Sequence, residues 1–88
     1  MKNLYNDIDI SHPTDRPNFT RLELPNMIVW FSYKAPIAFA YKGKTYIRKN
    51  AWNTTTGKHL NLVDPDHSKR LDGTVFEDLL NKAYNGVL

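Results

Sequence analysis

The chain has 88 residues, a net charge of +3, 41% hydrophobic residues and no cysteine. A chain of this length forms one domain with a thin core, and the lack of cysteine excludes disulfides and thiolate metal sites. The sequence has no run of about 18 apolar residues, so no membrane-spanning helix is predicted. The residues after Lys2 include Asn3, Asn6, Asp7 and Asp9, which interrupt any apolar core of a signal peptide. We therefore expect a soluble intracellular protein with no membrane contact.

The positive charge is concentrated in the middle of the sequence. Residues 1–23 contain three basic and four acidic residues, net −1, and residues 64–88 contain three basic and five acidic residues, net −2. Residues 24–63 contain no acidic residue and six basic ones, which are Lys34, Lys42, Lys44, Arg48, Lys49 and Lys58. Seven of the 11 aromatic residues lie in the same stretch. This concentration favours an anionic partner for the middle of the chain.

The N-terminal part is interpreted as an arm. Prolines at positions 13, 17 and 25 interrupt it, and proline lacks the N–H donor that a strand ladder needs. Residues 1–20 are therefore predicted to precede a single domain over residues 21–88. Whether the arm is ordered by itself or only on binding stays open at this point. Residues 21–24 are expected to add an edge strand to the domain.

An antiparallel meander is predicted next, because residues 27–33 and 36–42 alternate as strands do. In the first strand, one face is predicted to carry Met27, Val29, Phe31 and Tyr33, and the other Ile28, Trp30 and Ser32. In the second strand, one face is predicted to carry Ile37, Phe39 and Tyr41, and the other Ala38 and Ala40. A tight turn at Lys42-Gly43 then leads into a third strand over residues 45–49.

Two helices are predicted after these strands. Residues 53–56 offer several N-caps for a short helix over residues 55–62. Thr74 and Glu77 predict a capping box for a C-terminal amphipathic helix that ends at Asn85-Gly86. The predicted fold class is therefore α+β: a small antiparallel β-meander of three to four strands, a short helix after the third hairpin strand, and a C-terminal helix packed on the sheet.

A candidate ligand site lies at the start of the short helix. Residues 54–59 read Thr-Thr-Thr-Gly-Lys-His, and the N–H groups of a helix start bind anions. The stretch is not a Walker loop, because Trp52 stands where that pattern needs glycine and His59 stands where it needs serine or threonine. The candidate ligand-binding residues are Trp52, Thr55, Thr56, Lys58, His59 and Asn61. The candidate basic surface consists of Lys42, Lys44, Arg48 and Lys49.

Each candidate has a predicted role and a structural alternative. Lys58 would supply charge, the threonines hydroxyl contacts, His59 a directional hydrogen bond, and Trp52 a shield or a stacking face. The alternative is a capped helix whose threonines bond to their own backbone, with His59 as a structural hydrogen-bond partner. The choice depends on whether Trp52 and His59 lie in the core or at the surface.

Catalysis and metal binding are not predicted. His59 has no readable serine–histidine–aspartate or cysteine–histidine partner. Asp64, Asp66 and His67 have no standard metal-ligand spacing, and a proline divides them. We therefore expect no enzyme activity, no metal and no cofactor.

The middle of the chain resembles a family of small tailed-phage proteins with no assigned biochemical function. The resemblance covers about residues 25–62 and rests on Ser32-Tyr33, Ala38-Phe39, Tyr46, Asn50, Trp52, Thr55-Thr56, Lys58-His59 and Asn61. The chain departs from the pattern at Asn53, where many members have serine, and at Ala35, where many have threonine. The resemblance implies a phage or prophage origin and expression in the host bacterial cytoplasm, and it implies no catalytic residue.

The sequence leads to three hypotheses about the function of the protein, each from a different functional class. The first is a binding module for host takeover or counter-defence that captures a nucleotide-like anion or a host protein. The second is a nucleic-acid-binding phage accessory protein that uses the basic and aromatic sheet as a stacking platform. The third is an enzyme that uses His59 with Lys58 on a phosphate ester. We favour the first. Dimerisation would enlarge so small a core, and the oligomeric state stays open.

Overall fold

The fold was analysed in a computed structural model, which describes residues 18–52 and 54–88. Of the predicted arm over residues 1–20, residues 1–17 lie outside the described residues. The predicted helix cap Asn53 also lies outside them. Phe19 and Thr20 belong to the first strand, which therefore starts two residues before the edge strand predicted over residues 21–24.

Among the described residues, the strands form one sheet in the order β1-β2-β3-β4-β5. Their bounds are β1 Phe19–Leu24, β2 Met27–Ser32, β3 Ala35–Tyr41, β4 Lys44–Arg48 and β5 Arg70–Leu71. The first four strands are antiparallel neighbours, which confirms the predicted meander and its edge strand. β5 was not predicted. It pairs in parallel with β4 and is only two residues long, too short to show a periodicity.

The two central turns differ from each other. Lys42 and Gly43 both have positive φ angles, 50° and 77°, as a two-residue hairpin of the I′ type requires, and this confirms the predicted turn. Tyr33 lies in the turn between β2 and β3 with a φ angle of 57° and is exposed. Its predicted place on the same face of β2 as Met27, Val29 and Phe31 is therefore wrong, because the strand ends at Ser32.

A bulge changes the predicted alternation of β3. The pairing of β2 with β3 shifts register after Trp30 and leaves Ile37 without a partner. An extra residue of this kind turns the side chains that follow it to the other face. Ile37 therefore packs with Ala38, while Phe39 and Tyr41 pack on the opposite face. The predicted grouping of Ile37 with Phe39 and Tyr41 is wrong for this reason.

The two helices cover opposite faces of the sheet. They are α1 (Thr54–Val63), one residue longer at each end than predicted, and α2 (Gly73–Tyr84). The core under α2 consists of Met27, Val29, Phe31, Phe39, Tyr41, Phe76, Leu80 and Ala83. The core under α1 consists of Ile37, Ala38, Ile47 and Leu60. Packing of the C-terminal helix on the sheet is confirmed, and α1 buries the second face. No described helix has the length and apolar character that crossing a bilayer would require.

The ends of α2 match one prediction and contradict another. At its C-terminus, the N–H of Val87 donates to the carbonyl of Lys82 at 2.9 Å, and Gly86 has a φ angle of 74°. This is a Schellman motif and confirms the predicted cap. The predicted capping box is wrong, because the helix already begins at Gly73, and Asp72 occupies the N-cap without a side-chain hydrogen bond.

A buried arginine joins β4 to the start of α2. Arg48 is only 7% exposed, and its guanidinium lies 4.5 Å from the ring centre of Trp52 and 5.9 Å from that of Phe76. Its Nη1 pairs with the carboxylate of Glu77 at 3.4 Å. The prediction that Arg48 belongs to a basic surface is wrong, because these contacts bury and neutralise it.

We expect Gly73→Ala to destabilise the protein by roughly 1–3 kcal/mol, although alanine is the better helix former. A Cβ atom at position 73 would lie 2.9 Å from Cζ of Arg48 and closer still to Nη2, so the guanidinium must leave its place beside Glu77. Urea unfolding measures the change. In an Arg48→Met background the same substitution should be neutral or stabilising. Equal destabilisation in both backgrounds would show that Arg48 is not the cause.

Candidate functional site

Helix α1 divides the predicted ligand residues between two faces. Thr56 and His59 are buried against the sheet, with exposures of 2% and 6%. Thr55, Lys58 and Asn61 are exposed on the rest of the helix surface. A single ligand cannot contact both groups while α1 stays packed on the sheet. The geometry therefore separates a buried polar network from an exposed candidate site.

The buried network connects α1 to the end of β2. The hydroxyl of Ser32 lies 2.7 Å from Nδ1 of His59 and 3.0 Å from the hydroxyl of Thr56. The His59 ring also stacks on Phe19, with 5.0 Å between ring centres. A serine bonded to a histidine resembles a nucleophile with its base, but Ser32 is only 2% exposed. We interpret the network as the polar attachment of α1 to the sheet.

The exposed face of α1 forms one side of an open groove of about 540 Å³. The residues that line it are Lys49, Asn50, Thr54, Gly57, Lys58, Asn61, His67 and Arg70. This lining includes two of the predicted ligand residues, Lys58 and Asn61, and one residue of the predicted basic surface, Lys49. Among the described residues, this lining contains three cations and no carboxylate. A groove with this composition attracts anions.

Arg70 lies in this groove, and its partners are an amide, a backbone carbonyl and an imidazole. Its Nη2 donates to Oδ1 of Asn61 at 2.8 Å and to the backbone carbonyl of Asp64 at 3.5 Å, and its Nη1 lies 3.3 Å from Nδ1 of His67. Its Nε is buried and has no hydrogen-bond partner among the described residues. A guanidinium has five donors and a permanent charge, so these contacts leave the charge of Arg70 uncompensated.

Other basic side chains around the groove do have acidic partners. Nζ of Lys49 lies 3.0 Å from the carboxylate of Asp72, and Nζ of Lys69 lies 3.5 Å from that of Asp64. Within residues 18–52 and 54–88, no carboxylate lies within ion-pair distance of Lys58 or Arg70. The positive charge of the groove is therefore concentrated at these two side chains.

The loop before β5 fixes the position of His67. A 3₁₀ helix, His67–Lys69, is capped by Asp66, whose carboxylate accepts hydrogen bonds from the hydroxyl and the backbone N–H of Ser68. These bonds, the hydroxyl first, hold the pKa of Asp66 below its usual value. Asp64 accepts a hydrogen bond from the N–H of Asp66 in the same way. In the part of the chain that the structure describes, no three acidic or histidine residues form a metal-binding group.

The remaining predicted residues lie beside the groove or away from it. Trp52 is 48% exposed, and its backbone N–H donates to Oδ1 of Asn50 at 3.0 Å. It therefore adjoins the groove but does not line it. Lys42 and Lys44 lie at the hairpin turn, near the rings of Tyr41 and Tyr46. They are at the opposite end of β4 from Lys49, roughly 15 Å away along an extended strand. The predicted basic surface is therefore not continuous.

Sequence reasoning missed His67 and Arg70. Both belong to residues 64–88, which have a net negative charge and contain no motif for anion binding. Their place in the groove results from the parallel pairing of β5 with β4, which puts Arg70 opposite Ile47. The only available signal was local: Lys69 and Arg70 are adjacent cations at the end of a loop that begins after α1.

We expect His59→Ala to reduce the free energy of unfolding by about 2–4 kcal/mol, because it leaves a cavity beneath α1 and removes a buried hydrogen bond to Ser32. Chemical denaturation measures the change. Lys58→Ala, one residue away on the exposed face, is the control and should change stability by no more than about 0.5 kcal/mol. Equal stability of His59→Ala and wild type would contradict the structural role.

Comparison with known proteins gives one match. No curated protein and no solved structure matches the chain. The profile of a family of unknown function, DUF8033, matches residues 4–78, a range that contains every residue that lines the groove. Because this match covers most of the 88 residues, the chain belongs to the DUF8033 family of unknown function.

Proposed function

We propose that this protein is a small phage-type binding protein that captures an anionic, nucleotide-like ligand in the groove beside α1. The observation that carries the proposal is the environment of Arg70, whose guanidinium lines the groove with an imidazole, an amide and a backbone carbonyl as partners. Among the described residues, no carboxylate lies within ion-pair distance of it. An anionic oxygen would supply the charge-assisted hydrogen bonds that these partners do not.

The surroundings of Arg70 support the same ligand chemistry. Lys58 lies in the same groove without an acidic partner among the described residues, and the side chain of Asn61 accepts a bond from Arg70, which leaves its amide group to donate. Thr54 and Gly57 place the N-terminal half of α1 against the groove, where the helix dipole favours negative charge. All these groups favour an anion over a neutral or cationic ligand.

The biological setting of the proposal rests on the sequence resemblance described above. It includes a phage origin, action in the host bacterial cytoplasm, and a role in host takeover or counter-defence. A host protein with an acidic surface would offer the same negative groups as a nucleotide, and it remains within the proposal as a second source of the anion.

Nucleic-acid binding remains the alternative function, but its interface would be the groove and not the sheet. The sheet is not available as a stacking platform in the described part of the chain, because α2 covers Phe31, Phe39 and Tyr41 and α1 covers the other face. A nucleic acid would have to enter the groove through its phosphates. Its affinity would then fall steeply with salt, since binding would release condensed counterions.

We expect pyrophosphate and ATP to raise the unfolding temperature of wild type, since a ligand at 100 times its Kd stabilises by about 2.7 kcal/mol. Lys58→Gln and Arg70→Gln should each raise the Kd roughly tenfold or more, because each removes a charge-assisted hydrogen bond. Lys44→Gln makes the same change of charge at the hairpin turn and serves as the matched control. A loss of binding in Lys44→Gln as large as in Lys58→Gln would refute a specific groove site. So would unchanged binding in both groove variants.

We expect Gly57→Ala to separate stability from binding. Glycine inside a helix costs about 1 kcal/mol relative to alanine, while the exposed side chain of Asn50 must move by a few tenths of an ångström to admit the methyl group. The net change in stability should therefore be smaller than about 1 kcal/mol. The new methyl group would lie 3.2 Å from Nδ2 of Asn50, inside the groove lining, and should weaken pyrophosphate binding. Thr55→Ala, on the same helix but outside the lining, is the control and should leave binding unchanged. Tighter binding in Gly57→Ala would contradict the assigned site.

A further inference from the structure

The groove follows α1 for most of its length. Thr54, Lys58 and Asn61 recur at helical spacing and form one stripe along the helix. The first and the last are seven positions apart, which corresponds to roughly 10 Å along a helix axis. The groove is therefore longer than a single phosphate group requires.

Cationic groups are distributed along this length. Asn50 approaches Gly57 near the start of α1, and Lys49 precedes it in the chain. Lys58 lies in the middle, and Arg70 is bonded to Asn61 at the other end. The ion pair of Lys49 with Asp72 is exposed on both sides, so it contributes little and exchanges readily with another anion. Three cations can thus contact successive negative groups of one elongated ligand.

The lining offers little for the recognition of a base. Among the described residues that line it, none has a large apolar side chain and His67 is the one ring, with Nδ1 of that ring beside Nη1 of Arg70. Trp52 adjoins the groove outside this lining, and the guanidinium of Arg48 lies 4.5 Å from its ring centre. Base recognition usually needs an apolar wall or an aromatic face together with groups that pair with the edge of the base. Lysine, arginine, amide and hydroxyl groups are instead those that hold phosphate oxygens.

We infer that the groove recognises a chain of at least two phosphate groups and does not read the base. The ligand class is a nucleoside diphosphate or triphosphate held by its phosphates, with the base outside the groove. Arg70 and Asn61 hold one end of the phosphate chain, Lys58 its middle, and Lys49 with Thr54 the other end. This inference rests on the proposed function and makes it narrower.

The test compares the affinities of orthophosphate, pyrophosphate, adenosine, ATP, GTP and CTP by isothermal titration at fixed ionic strength. We expect pyrophosphate to bind at least ten times more tightly than orthophosphate, the three triphosphates to agree within about threefold, and adenosine not to bind. Lys49→Gln and Arg70→Gln should each reduce the preference for pyrophosphate over orthophosphate, since each removes one end of the site. Lys44→Gln should keep that preference.

The outcomes separate failure of this inference from failure of the proposed function. Binding of adenosine, or a preference for one triphosphate of more than tenfold, would overturn base-independent recognition and leave anion capture intact. Binding of orthophosphate as tight as that of pyrophosphate would overturn the requirement for two phosphate groups. Tighter binding of a ten-residue thymidine oligonucleotide than of ATP would assign the groove to a nucleic-acid backbone instead. If no anion binds, the proposed function fails as well.

Discussion

The position of α1 depends on the hydrogen bonds that Ser32 makes with Thr56 and His59. These bonds lie in an otherwise apolar layer, where a polar group without a partner is costly, so they fix how the helix is rotated on the sheet. With Thr56 and His59 turned inward, Lys58 and Asn61 must lie on the outer side of the helix. The groove is therefore a consequence of the buried network, and a histidine that touches no ligand still determines which residues can bind one.

Much of the fold could be predicted because its information is local. The alternation of β2, the Lys42-Gly43 turn and the glycine after α2 each act over a few residues, and each matches the structure. The features that were missed depend on distant partners. The bulge at Ile37 arises from the register between two strands, and β5 exists only because β4 lies beside it. Neither leaves a periodic signal in the sequence.

The candidate site was predictable only on its α1 side. The threonine, lysine and histidine run correctly located the helix, but which of its residues face outward depends on its packing against Ser32. Charge also does not indicate burial. Arg48 was predicted at the surface, yet it is buried near the rings of Trp52 and Phe76 and is paired with Glu77. Arg70, from an acidic stretch, supplies the uncompensated charge.

The parallel pairing of β5 with β4 closes a crossover that contains all of α1. Parallel strands need such a crossover, and a pairing of two residues is a weak closure. The bond from Arg70 to Asn61 already connects the crossover helix to the strand that closes it, and an anion held between Lys58 and Arg70 would add a second connection. Occupancy of the groove and the order of this half of the domain would then be thermodynamically linked, so the ligand concentration in the cell would set how firmly the crossover is closed.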